Sequence, residues 1–134
     1  MPEELIAIPV IESGYRNLPQ SSHESWGAGI WMFIKSTARN YGLKVNDQVD
    51  ERLNPELLTD AAMRLLIANR ARFDDWQLSV LAYSAGESHV QKAIDQTGSR
   101  DPWKIIQAGI GDEPDYLPKL MATILIMKNP HMLD

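Results

Sequence analysis

Apolar residues recur at helical spacing almost from one end of this chain to the other. In the opening segment Leu5 and Ile8 stand at i and i+3, behind Pro2 at a first-turn position and Glu3 and Glu4 near the positive end of the helix dipole. Glu12 continues that face at i+7, so an ionisable acid occupies a place where the spacing asks for an apolar side chain. Ile30, Phe33, Ile34, Thr37, Ala38 and Tyr41 form a second stripe, which predicts a helix closed by Gly42 as its C-cap. Asn54 before Pro55 and Glu56 is an N-cap signature, and Leu58, Ala62, Leu65, Leu66, Asn69 and Phe73 carry one face onward for about five turns. From Trp76 to Ala85 the residues are apolar almost all round, as in a central element. Gly86 breaks that run before a short amphipathic helix with Val90, Ala93 and Ile94, which ends at Gly98. Asp101 and Pro102 start a further short helix to Ala108, and Leu117, Leu120, Met121 and Ile124 mark a last one. The expected fold class is all-α. The segment from Gly14 to Gly29, with Pro, Ser and Gly, reads as a loop that follows Glu12 directly, and loops of that length in compact domains are usually functional.

Composition narrows the function classes. With 134 residues and 44% hydrophobic content the chain suits a single domain, residues 1–134. A net charge of −5 without any run of Lys or Arg argues against a nucleic-acid partner, because phosphate neutralisation needs clustered cations. There is no cysteine, hence no disulfide and no thiolate metal site. No stretch approaches a membrane span, and residues 1–12 lack the basic start and cleavage site of a signal peptide. The expectation is either a piece of a longer protein or a chain exported without such a leader.

Several residues could carry chemistry. A carboxyl on a face expected to be buried resists ionisation, and a protonated acid is what cleavage of a glycosidic or similar ether-like bond needs as proton donor. Glu12 fits that description; equally, it fits a helix-end carboxylate that reaches solvent or caps the loop after Gly14. Ala82 to Gly86, AYSAG, nearly matches a nucleophile elbow, with Ser84 as nucleophile and His89 or His131 as base, but its flanks read as helices and an elbow needs a preceding strand. His23 and Glu24 lack a third ligand at fixed spacing, so no metal site is expected. Asp74 and Asp75 look like capping residues, Glu87 like a first-turn acid, and Asp50 with Glu51 like solvated surface.

Four blocks in order, IPVIESGY, GAGIWMFIKSTARNYGL, LSVLAYSAGESHVQKAI and DYLPKLMA, resemble the lytic transglycosylases of glycoside hydrolase family 23 over nearly the whole chain. The resemblance implies a lysozyme-like helical domain of the goose type with a substrate groove. It places the family's catalytic Glu on Glu12 with Ser13 beside it, the G-x-W-Q block on Gly29, Ile30, Trp31 and Met32, the A-Y-N block on Ala82, Tyr83 and Ser84, and the Y-V-P block on Tyr116 to Pro118. Glu12 is then the single general acid and base, Ser13, Gly29, Ile30, Met32, Tyr83, Ser84 and Tyr116 contact substrate, and neither metal nor cofactor is implied. Two positions depart from the pattern: Met32 stands where the family usually has Gln, and Ser84 where it usually has Asn. Met32 falls off the predicted stripe of the second helix, so it is expected to face the groove. Tyr83 is the candidate for steadying developing positive charge, against the alternative of a core aromatic beside the Gly86 break, and Tyr116 is a groove wall or a packed helix-start residue.

The implied substrate is the glycan strand of peptidoglycan, cleaved between its two sugars to leave a 1,6-anhydro end, in the periplasm or cell envelope of its own or a target cell. A goose-lysozyme-like muramidase, with Glu24 as a second carboxylate, is one alternative, and a catalytically silent glycan-binding module is another. Use as an antibacterial effector would add an immunity or inhibitor protein as partner.

Overall fold

The computed structural model describes residues 1–19, 26–109 and 113–133, and every regular element among them is helical. The opening segment is a tight 3₁₀ helix over Glu3–Ala7 that passes into α1, Ile8–Ser13. Pro9 explains the change of pitch. It has no N–H to offer the Leu5 carbonyl, which the Ile8 N–H takes instead in the tighter three-residue pattern. Leu5 and Ile8 are buried and Glu12 is half-buried, as one continuous face requires.

The second helix is shorter than its stripe predicts. α2 covers Lys35–Asn40 only, while residues 28–33 fold back as a turn. The Ala28 N–H donates to the Phe33 carbonyl at 3.0 Å, and inside that bridge the Met32 N–H donates to the Gly29 carbonyl at 3.2 Å. Two glycines permit it. A Cβ on Gly27 would lie 2.1 Å from the Met32 carbonyl oxygen, and one on Gly29 (φ +76°) the same distance from the Arg52 carbonyl oxygen. Backbone approaches that close outweigh the helical spacing of Ile30, Phe33 and Ile34. Beyond the turn, α2 ends where expected, with the Leu43 N–H on the Ala38 carbonyl and the Gly42 N–H on the Arg39 carbonyl, each at 3.0 Å.

α3, Pro55–Phe73, matches its sequence signature. Asn54 Oδ1 accepts the N–H groups of Glu56 and Leu57 at 3.1 Å, and Leu58, Ala62 and Leu66 are fully buried. Burial of each leucine contributes about 1.5–3 kcal/mol.

The chain divides into two compact units, Met1–Arg64 with Thr123–Asp134, and Leu65–Ala122. In the first, Lys128 Nζ meets Glu4 Oε1 at 2.6 Å and so ties the opening segment to the end of α7, Tyr116–Lys128. In the second, α4 (Trp76–Ala85), α5 (Glu87–Thr97) and α6 (Pro102–Gln107) pack on one another. Leu78 to Ala82 are all buried, as the unbroken apolar run predicts, and Asn69 Nδ2 donates to the Ser79 carbonyl at 3.2 Å. Asp75 caps α4 through the Leu78 N–H at 2.9 Å. Asp74 is no cap: at φ +52° it points away and pairs with Arg70. Among the described residues no helix is long and apolar enough to cross a membrane.

Candidate active site

Glu12 stands in the last turn of α1, which Gly14 ends in the left-handed conformation. Its neighbour Ser13 faces inward and is only 2% exposed. The Ser13 hydroxyl donates to the Ile30 carbonyl at 2.7 Å, with the Pro9 carbonyl at 3.2 Å as a second acceptor. A single hydroxyl hydrogen has one strong bond to make, and the shorter contact reaches across 17 residues. The Ser13 side chain fastens the helix of Glu12 to residue 30. Arg16 Nε closes the same helix end on the Ser13 carbonyl at 2.9 Å, and the Tyr15 hydroxyl donates to the Ile6 carbonyl at 2.6 Å.

The turn that receives this bond is itself anchored. Trp31 is buried and its indole N–H donates to Thr59 Oγ1 of α3 at 2.9 Å. Below Phe33 lies Arg52, 1% exposed. Its Nη1 donates to the Phe33 carbonyl at 2.9 Å, and its Nε and Nη2 grip the two oxygens of Asp50 at 2.9 and 2.7 Å. Asp50 is therefore not solvated surface. Burial by itself would raise its pKa, but the hydrogen bonds and charge of Arg52 outweigh that and hold the carboxyl below its ordinary value. Glu51 is engaged too, accepting the Lys44 N–H at 2.5 Å. Gly29 is buried, and Ile30 and Met32 are half-buried. Met32 sits at φ +53° in the turn, so the helical-face argument for its direction does not hold; its place is set by the turn backbone.

The remaining sequence-predicted residues lie in the second unit. Tyr83 is half-buried and Ser84 exposed, both near the C-terminal end of α4. Tyr116 opens α7 and is 2% exposed, the burial of a packed helix-start residue. Ser84 is within a helix and no strand leads into it, which removes the nucleophile elbow. Glu87 occupies the first turn of α5, 3.4 Å from Arg72. Among the described residues no three His, Cys, Asp or Glu side chains come together as metal ligands, and His23 and Glu24 lie outside the described residues. The structure thus brings Glu12, Ser13, Gly29, Ile30 and Met32 into one unit and leaves Tyr83 and Ser84 together in the other. Sequence patterns pass over Arg52 and read Asp50 as solvated surface, since nothing in their spacing distinguishes them from surface charges.

The chain has counterparts among known proteins. Residues 1–106 match the family model described as the transglycosylase SLT domain, and the chain belongs to that family, with its lysozyme-like fold. It is similar to membrane-bound lytic murein transglycosylase D of Escherichia coli K12, 37% identical over an alignment 134 positions long that covers 96% of this chain and 29% of the relative. The same protein of Escherichia coli O6:H1 gives the same values. Peptidoglycan transglycosylase gp16 of Escherichia phage T7 is 38% identical over 77 residues, 56% of this chain and 6% of the relative. The chain therefore spans less than a third of the curated relatives it matches.

Proposed function

We propose that residues 1–134 form the catalytic domain of a peptidoglycan lytic transglycosylase, with Glu12 as its one general acid and base. The observation that carries this reading is the placement of Glu12: half-buried at the end of α1 and held to the Gly29–Met32 turn through Ser13 and Ile30. Membership of the transglycosylase family and the names of the two kinds of relative support the substrate class. A single carboxyl can serve this chemistry twice, first as acid and then as base. Glu12 gives its proton to the glycosidic oxygen as the bond to C1 breaks, and its carboxylate then takes the proton of the C6 hydroxyl of the same muramyl sugar as that oxygen closes on C1. The product carries a 1,6-anhydro ring, and no water is consumed. By the family resemblance Tyr83 is the residue for the developing positive charge and Ser84 a substrate contact, while Tyr116, 2% exposed, packs at the start of α7. Met32 and Ser84 give up amide contacts that the family pattern has, which alters subsite preference rather than the acid. Such a substrate places the working domain in the cell envelope, and its periplasmic face in particular.

Mass analysis of purified sacculi after digestion tests the reading. Muropeptides ending in 1,6-anhydro-muramic acid, lighter by one water than hydrolytic products, are expected. Reducing-end muramic acid as the main product makes the protein a muramidase, and the absence of any release makes it a glycan-binding module.

A further inference from the structure

We infer that Arg52, with Asp50, is the positioning residue that sets the height of the Gly29–Phe33 turn and, through it, the place of Glu12. This rests on Glu12 being the acid of the proposed reaction. Arg52 acts in this role through the turn backbone. Its guanidinium is planar and rigid, and it donates to two fixed targets, the Asp50 carboxylate at 2.7 and 2.9 Å and the Phe33 carbonyl at 2.9 Å. Asp50 is in turn fixed, because its Oδ1 also accepts the Arg52 backbone N–H at 3.1 Å. The Phe33 carbonyl is the same atom that receives the Ala28 N–H and closes the turn. On its other side the turn leans on the Arg52 backbone, against which Gly29 has no room for a Cβ. One residue beyond Gly29, the Ile30 carbonyl takes the Ser13 hydroxyl, and Ser13 adjoins Glu12. The series Asp50, Arg52, Phe33, Ile30, Ser13, Glu12 is continuous in hydrogen bonds and backbone.

A buried ion pair is a weak source of net stability, because its desolvation cost offsets its attraction. It does fix geometry. Replacing both partners by uncharged residues therefore separates the two roles. Asp50→Asn together with Arg52→Met leaves the Asp50 cap acceptor and most of the Arg52 side-chain volume, while removing both charges and the donor to Phe33.

The experiment measures kcat and KM on purified sacculi with melting temperature in parallel. In the double variant, kcat falls at least about tenfold with KM little changed, since small displacements of a catalytic group are costly to rate. A folded double variant with wild-type kcat overturns the proposal. A second arm, Arg52→Lys and Ser13→Ala singly and combined, covers the case in which the double replacement does not fold. If both act through one turn, their losses in kcat are clearly less than additive, and additive losses overturn the proposal. Glu12→Gln serves as control: should it keep full activity, the assignment of the acid fails, whereas an inactive Glu12→Gln beside an unaffected Arg52 arm removes only the positioning role.

Discussion

Glu12 and Ser13 are neighbours on one short helix with different duties, and the difference lies in which way each side chain is turned. Ser13 faces inward and binds a carbonyl 17 residues away, while Glu12 keeps partial exposure. Glu12→Gln preserves shape and hydrogen-bonding capacity but has no proton to give, so turnover of sacculi falls about a thousandfold or more while thermal unfolding stays within a few degrees of wild type. Release of muropeptides near the wild-type rate removes Glu12 from its role. Gly29 offers a structural test at the same scale. Its φ of +76° and the 2.1 Å between a built Cβ and the Arg52 carbonyl oxygen leave no room for Ala. Gly29→Ala is expected to cost about 3 kcal/mol or more, read as a lowered midpoint in urea. A midpoint equal to wild type would mean that the turn relaxes freely.

At the scale of elements, legibility followed the range of the interactions. α3 was readable because everything that makes it lies within it: the Asn54 cap and a face carrying Leu58, Ala62 and Leu66. α4 was readable from its unbroken apolar run and the Asp75 cap. The opening helix came out in two pitches because one missing N–H, that of Pro9, does not disturb an apolar spacing. The second helix lost its first turn to partners distant in sequence, above all the Arg52 bond to the Phe33 carbonyl, which no local period encodes. The same holds for the site: Glu12 was marked by its place on an apolar face, whereas Arg52 and Asp50 carried no mark. Their pairing has a pH signature. Asp50 titrates below its ordinary value when folded, so its contribution is present above the unfolded value of about 3.8 and is lost as pH falls through the lower folded value. Asp50→Asn should therefore melt below wild type at pH 6, with the gap narrowing as pH drops through 4 toward 2. A gap that stays constant over that range would show that Arg52 does not hold the Asp50 carboxylate.

For the whole molecule, net charge bears on how the proposed substrate is met. The chain carries −5, and peptidoglycan strands bear carboxylates on their stem peptides, so enzyme and polymer repel at long range. That repulsion acts before any contact in the site forms, and it is screened as the Debye length shrinks from about 30 Å at 0.01 M to about 8 Å at 0.15 M ionic strength. Raising salt across this interval should therefore raise kcat/KM on sacculi, through faster encounter, and leave kcat nearly unchanged. Short glycan fragments without stem peptides, their lactyl carboxyls amidated so that they carry no charge, should lose that dependence. Salt that instead lowers kcat/KM on sacculi would mean that a local cationic surface guides the strand against the sign of the overall charge, and Arg16, exposed beside the end of α1, is the first side chain to neutralise in that case.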